Sequence, residues 1–395
     1  MSSEGAFMTL GECVSLQRGT TYQSRLLGLP GPVLLGLASI ARNGGFRSDS
    51  LRTYGGESDE KLLLRPGDLY VSLKDVTQSA DLLGAVSRVP ATVELGRLTQ
   101  DTVKLTVLTN EIPSSYLYWI LRTPQYRQYC RERAIGTTNL SLSRDDFLAF
   151  PIPRPTSQRL ALVACLDALE DKIAVNERIA TTADELIRAR YLHVGQNCTE
   201  MIKIGELGEQ RREIVAVGEF DANDYYIGLE HVPRRHVWLS SWTDASGLES
   251  SKGRFKEGDI LFGKLRPYFH KVGLALVAGV ASTDIIVIRP RQEVARGWLL
   301  AAASSDDVID HASAVGDGTR MPRAKWQDIA SFEVPWPGYA AVAEFNEFVA
   351  VLTERVRASI YENRNLMELR DTLLPGLMSG AFRVREAEKI VEAAT

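Results

Sequence analysis

The residues of this chain best suited to chemistry are cationic and aromatic side chains that alternate over a short stretch: Lys264, Arg266, Tyr268, His270 and Lys271. Lys and Arg in such a run neutralise phosphates or donate to guanine edges. Tyr and His add hydrogen bonds to a sugar–phosphate backbone. A second polar stretch runs from Gly316 to Lys325. Its glycines admit a close backbone approach, and Thr319, Arg320, Arg323 and Lys325 supply hydroxyl and charge. Earlier in the chain, Gly136 is followed by Thr137, Thr138 and Asn139, whose hydroxyls and amide also suit phosphates and bases, with Arg131 and Arg133 close by as further phosphate ligands. A solvated loop accounts for each stretch equally well when it is taken alone. Arg234, Arg235 and His236 read either as a basic tip or as a plain exposed turn.

The chemistry of an enzyme is missing from the same inspection. Asp68 and Asp259 each follow a glycine and open an apolar run, which makes them turn residues before they are catalysts. A metal-dependent nuclease would need a second acid two residues before Lys74 or Lys264, and those positions hold Ser72 and Phe262. There is no glycine-rich cofactor loop with an Asn-Pro-Pro-aromatic motif for adenine methylation. GxxxxGK[ST] for a nucleotide and GxSxG for a nucleophilic serine are also missing. Asp306-Asp307 sits in a polar stretch that reads as a loop or helix edge. The four cysteines, Cys13, Cys130, Cys165 and Cys198, are scattered without metal-ligand spacing. The expectation is a non-enzyme with no catalytic residue, no metal and no cofactor of its own.

With 45% hydrophobic and 24% charged residues over 395, the chain is expected to fold as two or three globular domains. Its net charge of −4 does not exclude a polyanionic partner. Acidic residues such as Glu344, Glu347, Glu354, Glu362 and Glu368 fall in expected helices, whereas the basic ones bunch in loops. No apolar run is long enough to span a bilayer and no secretory leader is expected, so a reducing cytoplasm fits the cysteine usage.

The elements that must position these loops occur twice. Leu10-Gly11-Glu12 recurs as Ile204-Gly205-Glu206, and Gly36-Leu37-Ala38 as Gly228-Leu229-Glu230. Gly67-Asp68-Leu69 recurs as Gly258-Asp259-Ile260, and Gln100-Asp101-Thr102 as Thr283-Asp284-Ile285. Gly136-Thr137 with Pro151-Ile152-Pro153 matches Gly318-Thr319 with Glu333-Val334-Pro335. The matches keep one order while the offset falls from 194 at Leu10 to 182 at Pro151, as loops of different length require. A period of about 190 residues marks a duplicated domain rather than a solenoid.

Each copy is short strands, a proline stop and then a long helix. In the first helix Leu162, Leu166, Leu169, Ile173, Asn176, Ala180, Ala183 and Ile187 are spaced alternately by four and three, a heptad seam with Asn176 as its polar member. The second gives Val349, Thr353, Val356, Ile360, Asn363, Met367, Arg370 and Leu374, with Asn363 expected at the position equivalent to Asn176. Two arrangements fit: each helix packed on its own head, or the two paired as an antiparallel rod in which the asparagines fix register. A rod of about 35 residues would be roughly 50 Å long, or about fifteen base pairs.

Taken together, the Gly-Asp strand, Gly-Thr loop, proline stop and long helix, all repeated, resemble the specificity subunit of type I restriction–modification systems. The segments Leu166–Ile173 and Leu369–Gly380 are especially similar to that family. The first helix departs from the pattern, because Leu186-Ile187 is followed by Arg188 and not by the Leu-Leu-Pro that ends the second. The resemblance implies an α+β chain of two target-recognition domains, 8–156 and 200–338. Spacer helices at 157–195 and 339–380 would form a coiled-coil rod with pseudo-two-fold symmetry, and 381–395 would be a tail. It further implies double-stranded DNA, two methyltransferase (modification) subunits and two restriction subunits as partners, with S-adenosylmethionine, ATP and Mg bound by those partners. Ser143 and Asp146 are expected to start a helix rather than to touch DNA. The alternative is a duplicated protein-binding scaffold of another phage-defence assembly.

Overall fold

The computed structural model describes residues 7–48, 51–221, 224–314 and 322–380. The chain forms two compact units, Met1–Lys172 with Asn365–Thr395, and Ile173–Arg364. Each long helix therefore gives its two ends to different units.

In the first unit the head is closed by its ends. Strand Phe7–Thr9 runs antiparallel to Pro151–Pro153, immediately before the long helix. Between them lies a four-stranded antiparallel sheet in the order Val14–Arg18, Thr102–Val107, Leu69–Ser72, Val86–Arg88. Leu69–Ser72 is buried along its whole length, which is why it reads as an unbroken apolar run. A smaller sheet pairs Val33–Leu35 with Gly96–Leu98 in parallel and Gly96–Leu98 with Leu63–Leu64 in antiparallel. Helices Ser114–Ile120, Pro124–Glu132 and Arg144–Leu148 complete the head.

The second unit repeats that path. Met201–Lys203 pairs with Glu333–Pro335, and a four-stranded sheet runs Gly208–Arg211, Ile285–Pro290, Ile260–Gly263, Val272–Leu274. The other sheet, of five strands here rather than three, again holds one parallel pair, Tyr225–Ile227 with Gly279–Ala281, flanked by Lys252–Phe255. Helices Arg296–Ala303, Asp306–Ala314 and Trp326–Ser331 follow. Single contacts recur as well. Tyr116 Oη donates to Pro153 O at 2.8 Å and Trp298 Nε1 to Pro335 O at 3.0 Å.

The Gly-Asp motifs act as turns. Gly67 and Gly258 have φ of 90° and 84°, a region glycine enters freely. Asp68 and Asp259 accept from the backbone of Arg65 and Lys256 at 2.9 and 2.8 Å. Each carboxylate then meets a cation from the neighbouring strand. Lys104 reaches Asp68 at 2.7 Å, and Arg289 forms a bidentate pair with buried Asp259 at 2.7 and 2.6 Å.

The long helices span Ser157–Gly195 and Tyr339–Leu373. Their segments lie antiparallel within the second unit, where Asn176 meets Asn363 at 2.9 Å while Arg190 meets Glu344 at 2.6 Å. In the first, Arg159 donates to Leu377 O and Met378 O at 2.8 and 3.3 Å. Three expectations are corrected. The second helix does not continue to residue 380. It ends at Leu373, because Pro375 lacks an N–H and disfavours helical backbone before it, and Gly376–Ser379 forms a separate turn of helix. Counted from Pro153 and Pro335, Asn363 corresponds to Thr181 rather than to Asn176; the two asparagines meet without being equivalent. Within the helix beyond Asn363 the buried residues are Leu366, Leu369 and Leu373, whereas Met367 and Arg370 are only half-buried; Leu374, just past the helix end, is buried as the seam expects.

That change of face has a plain cause. Up to Ile360, the helix packs into the second head as well as on its neighbour: Val342, Phe345, Val349, Val356 and Ile360 share one core with Trp298 and the strands. Beyond Arg364 it belongs to the other unit and meets different partners. The four-three spacing records burial against a head together with burial against a helix.

The heads grip their helices differently. In the first unit Arg88 pairs with Asp167 and Glu170 at 3.0 and 2.8 Å, Trp119 donates to Asp167 at 2.9 Å, Tyr118 donates to Glu170 at 2.8 Å, and Ser115 donates to Asp167. The counterparts of Ser115, Trp119 and Asp167 in the second unit are Gly297, Ala301 and Val349. A Cβ added to Gly297 would come within 3.1 Å of Val349. Asp167→Ala leaves Arg88, Ser115 and Trp119 short of an acceptor. It is expected to cost the first unit about 2–3 kcal/mol, measured as lost hydrogen-exchange protection in 157–172 with 173–195 unaffected. Unchanged protection would mean that the polar junction contributes nothing.

Candidate nucleic-acid interface

In the second head, Ile260–Gly263 hands the chain to Lys264. Its backbone N–H donates to Asp284 O at 2.8 Å, and its carbonyl accepts from Ala324 N at 2.9 Å. Arg266 N donates to Pro322 O at 2.9 Å, and Leu265 bridges Arg323. Residues 322–325, the described end of the second stretch, therefore lie beside the first. A third joins them: Arg235 N donates to His270 O at 2.9 Å, and Arg234 stacks over Phe269 at 4.1 Å.

Arg235, Arg266 and His270 have φ of 53°, 51° and 53°. For residues with a Cβ this left-handed region costs about 1 kcal/mol or more each, so their surroundings must hold them there. His270 shows how. It is buried, with 1% of its surface exposed, and Nε2 lies 2.7 Å from Ser304 O, a carbonyl that only an N–H can satisfy. Burial pushes the imidazole below its ordinary pKa, and Arg188 and Arg235 add to the effect; the Ser304 carbonyl and Asp306 oppose it. His270 is thus a neutral strut beneath the loop. The expectation that it contacts DNA is corrected, because it has no accessible surface to do so.

The remaining residues keep a free edge. Tyr268 is 52% exposed, and Arg234, Arg235, Arg323 and Lys325 are exposed. Lys264 and Lys271 are half-buried, each giving one N–H to a carbonyl, of Thr283 at 2.6 Å and of Leu229. Arg266 is half-buried too. Burial lowers the Lys264 pKa, Asp284 opposes this, and Arg212 and Arg323 lower it further. Such mutual repulsion marks cations gathered on one face, the condition that an approaching phosphate relieves. Arg323 lies 3.5 Å from Asp284, and Arg235 lies 2.9 Å from Asp306. Thr319 and Arg320 fall outside the described residues.

The first head builds the same surface from other side chains. Strand Leu140–Ser141 pairs with Lys74–Asp75, and Leu142 N donates to Leu73 O at 2.9 Å, as Ala324 does to Lys264. Ile135 and Ser141 exchange both backbone bonds at 2.9 Å, which closes Gly136–Asn139 as a tip. Gly136 takes φ 110°, and Thr137, Thr138 and Asn139 are exposed. Arg131 donates to Asn43 Oδ1 at 3.1 Å from an exposed position. Arg133 stacks over Tyr129 at 3.7 Å and is half-buried. Ser143 caps the helix Arg144–Leu148 by accepting from Asp146 N at 3.0 Å.

Sequence reasoning missed Arg42, Asn43, Lys74 and Arg212. Arg42 and Asn43 are the counterparts of Arg234 and Arg235, with the left-handed turn conserved in geometry at Asn43, φ 62°. Extending the repeat alignment by a few residues past Ile40 and Val232 would have found them. The seam residues Leu166, Leu169, Ile173, Asn176, Val356 and Ile360 are buried, and Asn363 is half-buried. Among the described residues no group of three His, Cys, Asp or Glu is placed to hold a metal ion, and no helix is long and apolar enough to cross a membrane.

No family model matches the chain. A curated relative, the type I restriction enzyme EcoDI specificity subunit of Escherichia coli, is 25% identical over 167 residues, which is 40% of this chain and 37% of that protein. The chain thus aligns with little more than a third of that relative's length. Among solved structures, the type I restriction–modification S subunit from M. genitalium superposes with a TM-score of 0.57 at 14% identity, covering 94% of this chain and 95% of that one. The HsdS subunit from Thermoanaerobacter tengcongensis aligns over 95% and 97% at 14% identity, but its TM-score of 0.34 is too low to carry an argument about the fold. The resemblance read from the sequence therefore holds: the chain has the fold of a type I specificity subunit and is similar in sequence to a member of that family.

Proposed function

We propose that this chain is the non-catalytic DNA-recognition subunit of a type I restriction–modification complex. Each head reads one half of an asymmetric, bipartite duplex site, with unread base pairs between the halves. The observation that carries this reading is the duplicated three-loop surface on one chain path, rich in cations with a tyrosine in one copy and bearing hydroxyls and amides beside Arg42, Lys74 and Arg131 in the other. Equal scaffolds with unlike loops suit a reader of two unlike half-sites. Cations position the protein on phosphates, while base edges select the sequence.

In this proposal the long helices space the heads and dock two methyltransferase subunits, to which two restriction subunits are added. S-adenosylmethionine belongs to the methyltransferases, where the target adenine is flipped out. ATP and Mg belong to the restriction subunits, and the complex acts in the cytoplasm. This chain contributes binding energy and geometry.

Replacing Lys264, Arg323 or Arg320 with Ala, one at a time, is expected to weaken duplex binding by the complex assembled with its methyltransferase subunits. Each loss should reduce the slope of log K against log salt by about 1. Unaltered affinity and slope in all three would remove these residues from the interface. A complex that binds duplex with no salt dependence would favour the protein scaffold instead. Exchanging residues 203–337 for those of a homologue is expected to change one half of the methylated motif in the host genome. A change in both halves would end the model of independent heads.

A further inference from the structure

Residues 76–81 of the first head bury little apolar surface, yet two buried charged groups are committed to their shape. Asp75 is fully buried, and its carboxylate closes the loop from both ends. Oδ1 accepts from Thr77 N at 2.7 Å and Thr77 Oγ1 at 2.8 Å; Oδ2 accepts from Leu82 N at 2.6 Å and Leu83 N at 3.2 Å. Arg127, 3% exposed, reaches the same loop from helix Pro124–Glu132, donating to Leu83 O at 2.6 Å, Ala80 O at 3.0 Å and Asp81 O at 2.9 Å. Removing such groups from water is expensive unless their hydrogen bonds are replaced. Here the replacement partners are almost all loop backbone. Ala80 is held left-handed at φ 54° between those bonds, a strained state for a residue with a Cβ.

What this shape presents is small and exposed: Val76 at 62%, Gln78 and Ser79. Ser79 Oγ is occupied by Thr77 Oγ1 and Asp81 Oδ2, both at 3.0 Å. The Gln78 amide has no hydrogen-bond partner among the described residues. The loop stands where Arg266–His270 stands in the second head. It follows the equivalent strand, and Asp81 O accepts from Asn43 N at 2.8 Å just as His270 O accepts from Arg235 N at 2.9 Å.

We infer that loop 76–81 is the base-reading element of the first head, with Gln78 contacting an A·T pair of the first half-site and Asp75 and Arg127 acting as positioning residues. This rests on the DNA-recognition reading above. A glutamine amide offers one donor and one acceptor, the pattern that adenine N6 and N7 complement in the major groove, and an apolar neighbour such as Val76 suits the thymine methyl. Being neutral, Gln78 neutralises no phosphate, which separates its effect from that of the cations in the second head.

The test measures binding of the methyltransferase-assembled complex to duplexes carrying each single base-pair change in the methylated motif, at several salt concentrations. Gln78→Ala, at an exposed position, is expected to reduce discrimination at one A·T pair of the first half-site by roughly 10- to 100-fold. Its salt slope and its second-half discrimination should equal those of the wild type. Asp75→Asn keeps the side chain's size but turns one acceptor oxygen into a donor. It is expected to blunt the same position without changing the salt slope. Full first-half discrimination in Gln78→Ala, or a loss at the second half instead, would overturn the loop assignment and leave DNA recognition standing. A wild-type complex with no sequence-selective, salt-dependent binding would overturn both.

Discussion

Each head depends on the pairing of its first strand with its last. Phe7–Thr9 against Pro151–Pro153, and Met201–Lys203 against Glu333–Pro335, bring the chain back to its starting point just before a long helix begins. Tyr116 and Trp298 fasten the last strand from the interior by bonding the carbonyls of Pro153 and Pro335. The prolines make the arrangement specific, since each withholds an N–H that a further strand would need and sets the backbone for the stop before the helix. With the ends fixed, everything between them is an excursion whose length can change without moving the helix. That is why the offset between copies drifts while the order of elements is kept.

The two excursions meet their helices through different chemistry at the matching positions. Arg88, Arg122, Tyr118 and Trp119 make the first junction an ionic and hydrogen-bonded one around Asp167 and Glu170. At the matching positions the second is closed by Leu, Ala, Gly and Val, and its polar contacts lie around them: Asn346 accepts from Gly297 N at 2.9 Å, Asp184 from Val237 N at 3.1 Å, Trp238 donates to Ala180 O at 2.9 Å, and Arg357 pairs with Glu257 at 2.6 Å. A polar junction specifies one geometry at a cost in desolvation, and an apolar one contributes burial but tolerates small shifts. The duplicated scaffold therefore conserves where a head attaches, while the chemistry of attachment has diverged.

The repeat, the strands that begin at Gly67-Asp68 and Gly258-Asp259 and the proline stops were legible because each follows from a local rule, of turn, alternation or missing donor. The helix seam was only half legible. A four-three spacing reports that a face is buried without saying against what, and here Phe345 and Val349 serve the head while Asn363 serves the other helix. His270 was misplaced because its type and its neighbours Arg266 and Tyr268 are those of a contact residue, whereas its burial is decided by Ser304, from a distant helix end. Loop 76–81 escaped notice for the converse reason: glutamine, serine and valine carry no charge signal, and their significance lies in Asp75 and Arg127 beneath them.

Strained or buried polar groups gather under the same loops in both heads, and a common reason accounts for them. A side chain that selects a base must be placed to within a fraction of an ångström, since hydrogen bonds weaken steeply with angle and distance. Yet the loop carrying it must stay open to an incoming duplex and so contributes little burial to hold itself. The rigidity has to come from below. In the second head a neutral imidazole against a carbonyl and three left-handed residues provide it; in the first, a carboxylate and a guanidinium bonded to the loop backbone do so. His270, Asp75 and Arg127 are buried, and both sets sit on elements that the duplication retains. Exposed loop residues such as Tyr268 or Gln78 are therefore free to change, provided the struts beneath them remain, and a scaffold can diverge at its surface without relearning how to fold.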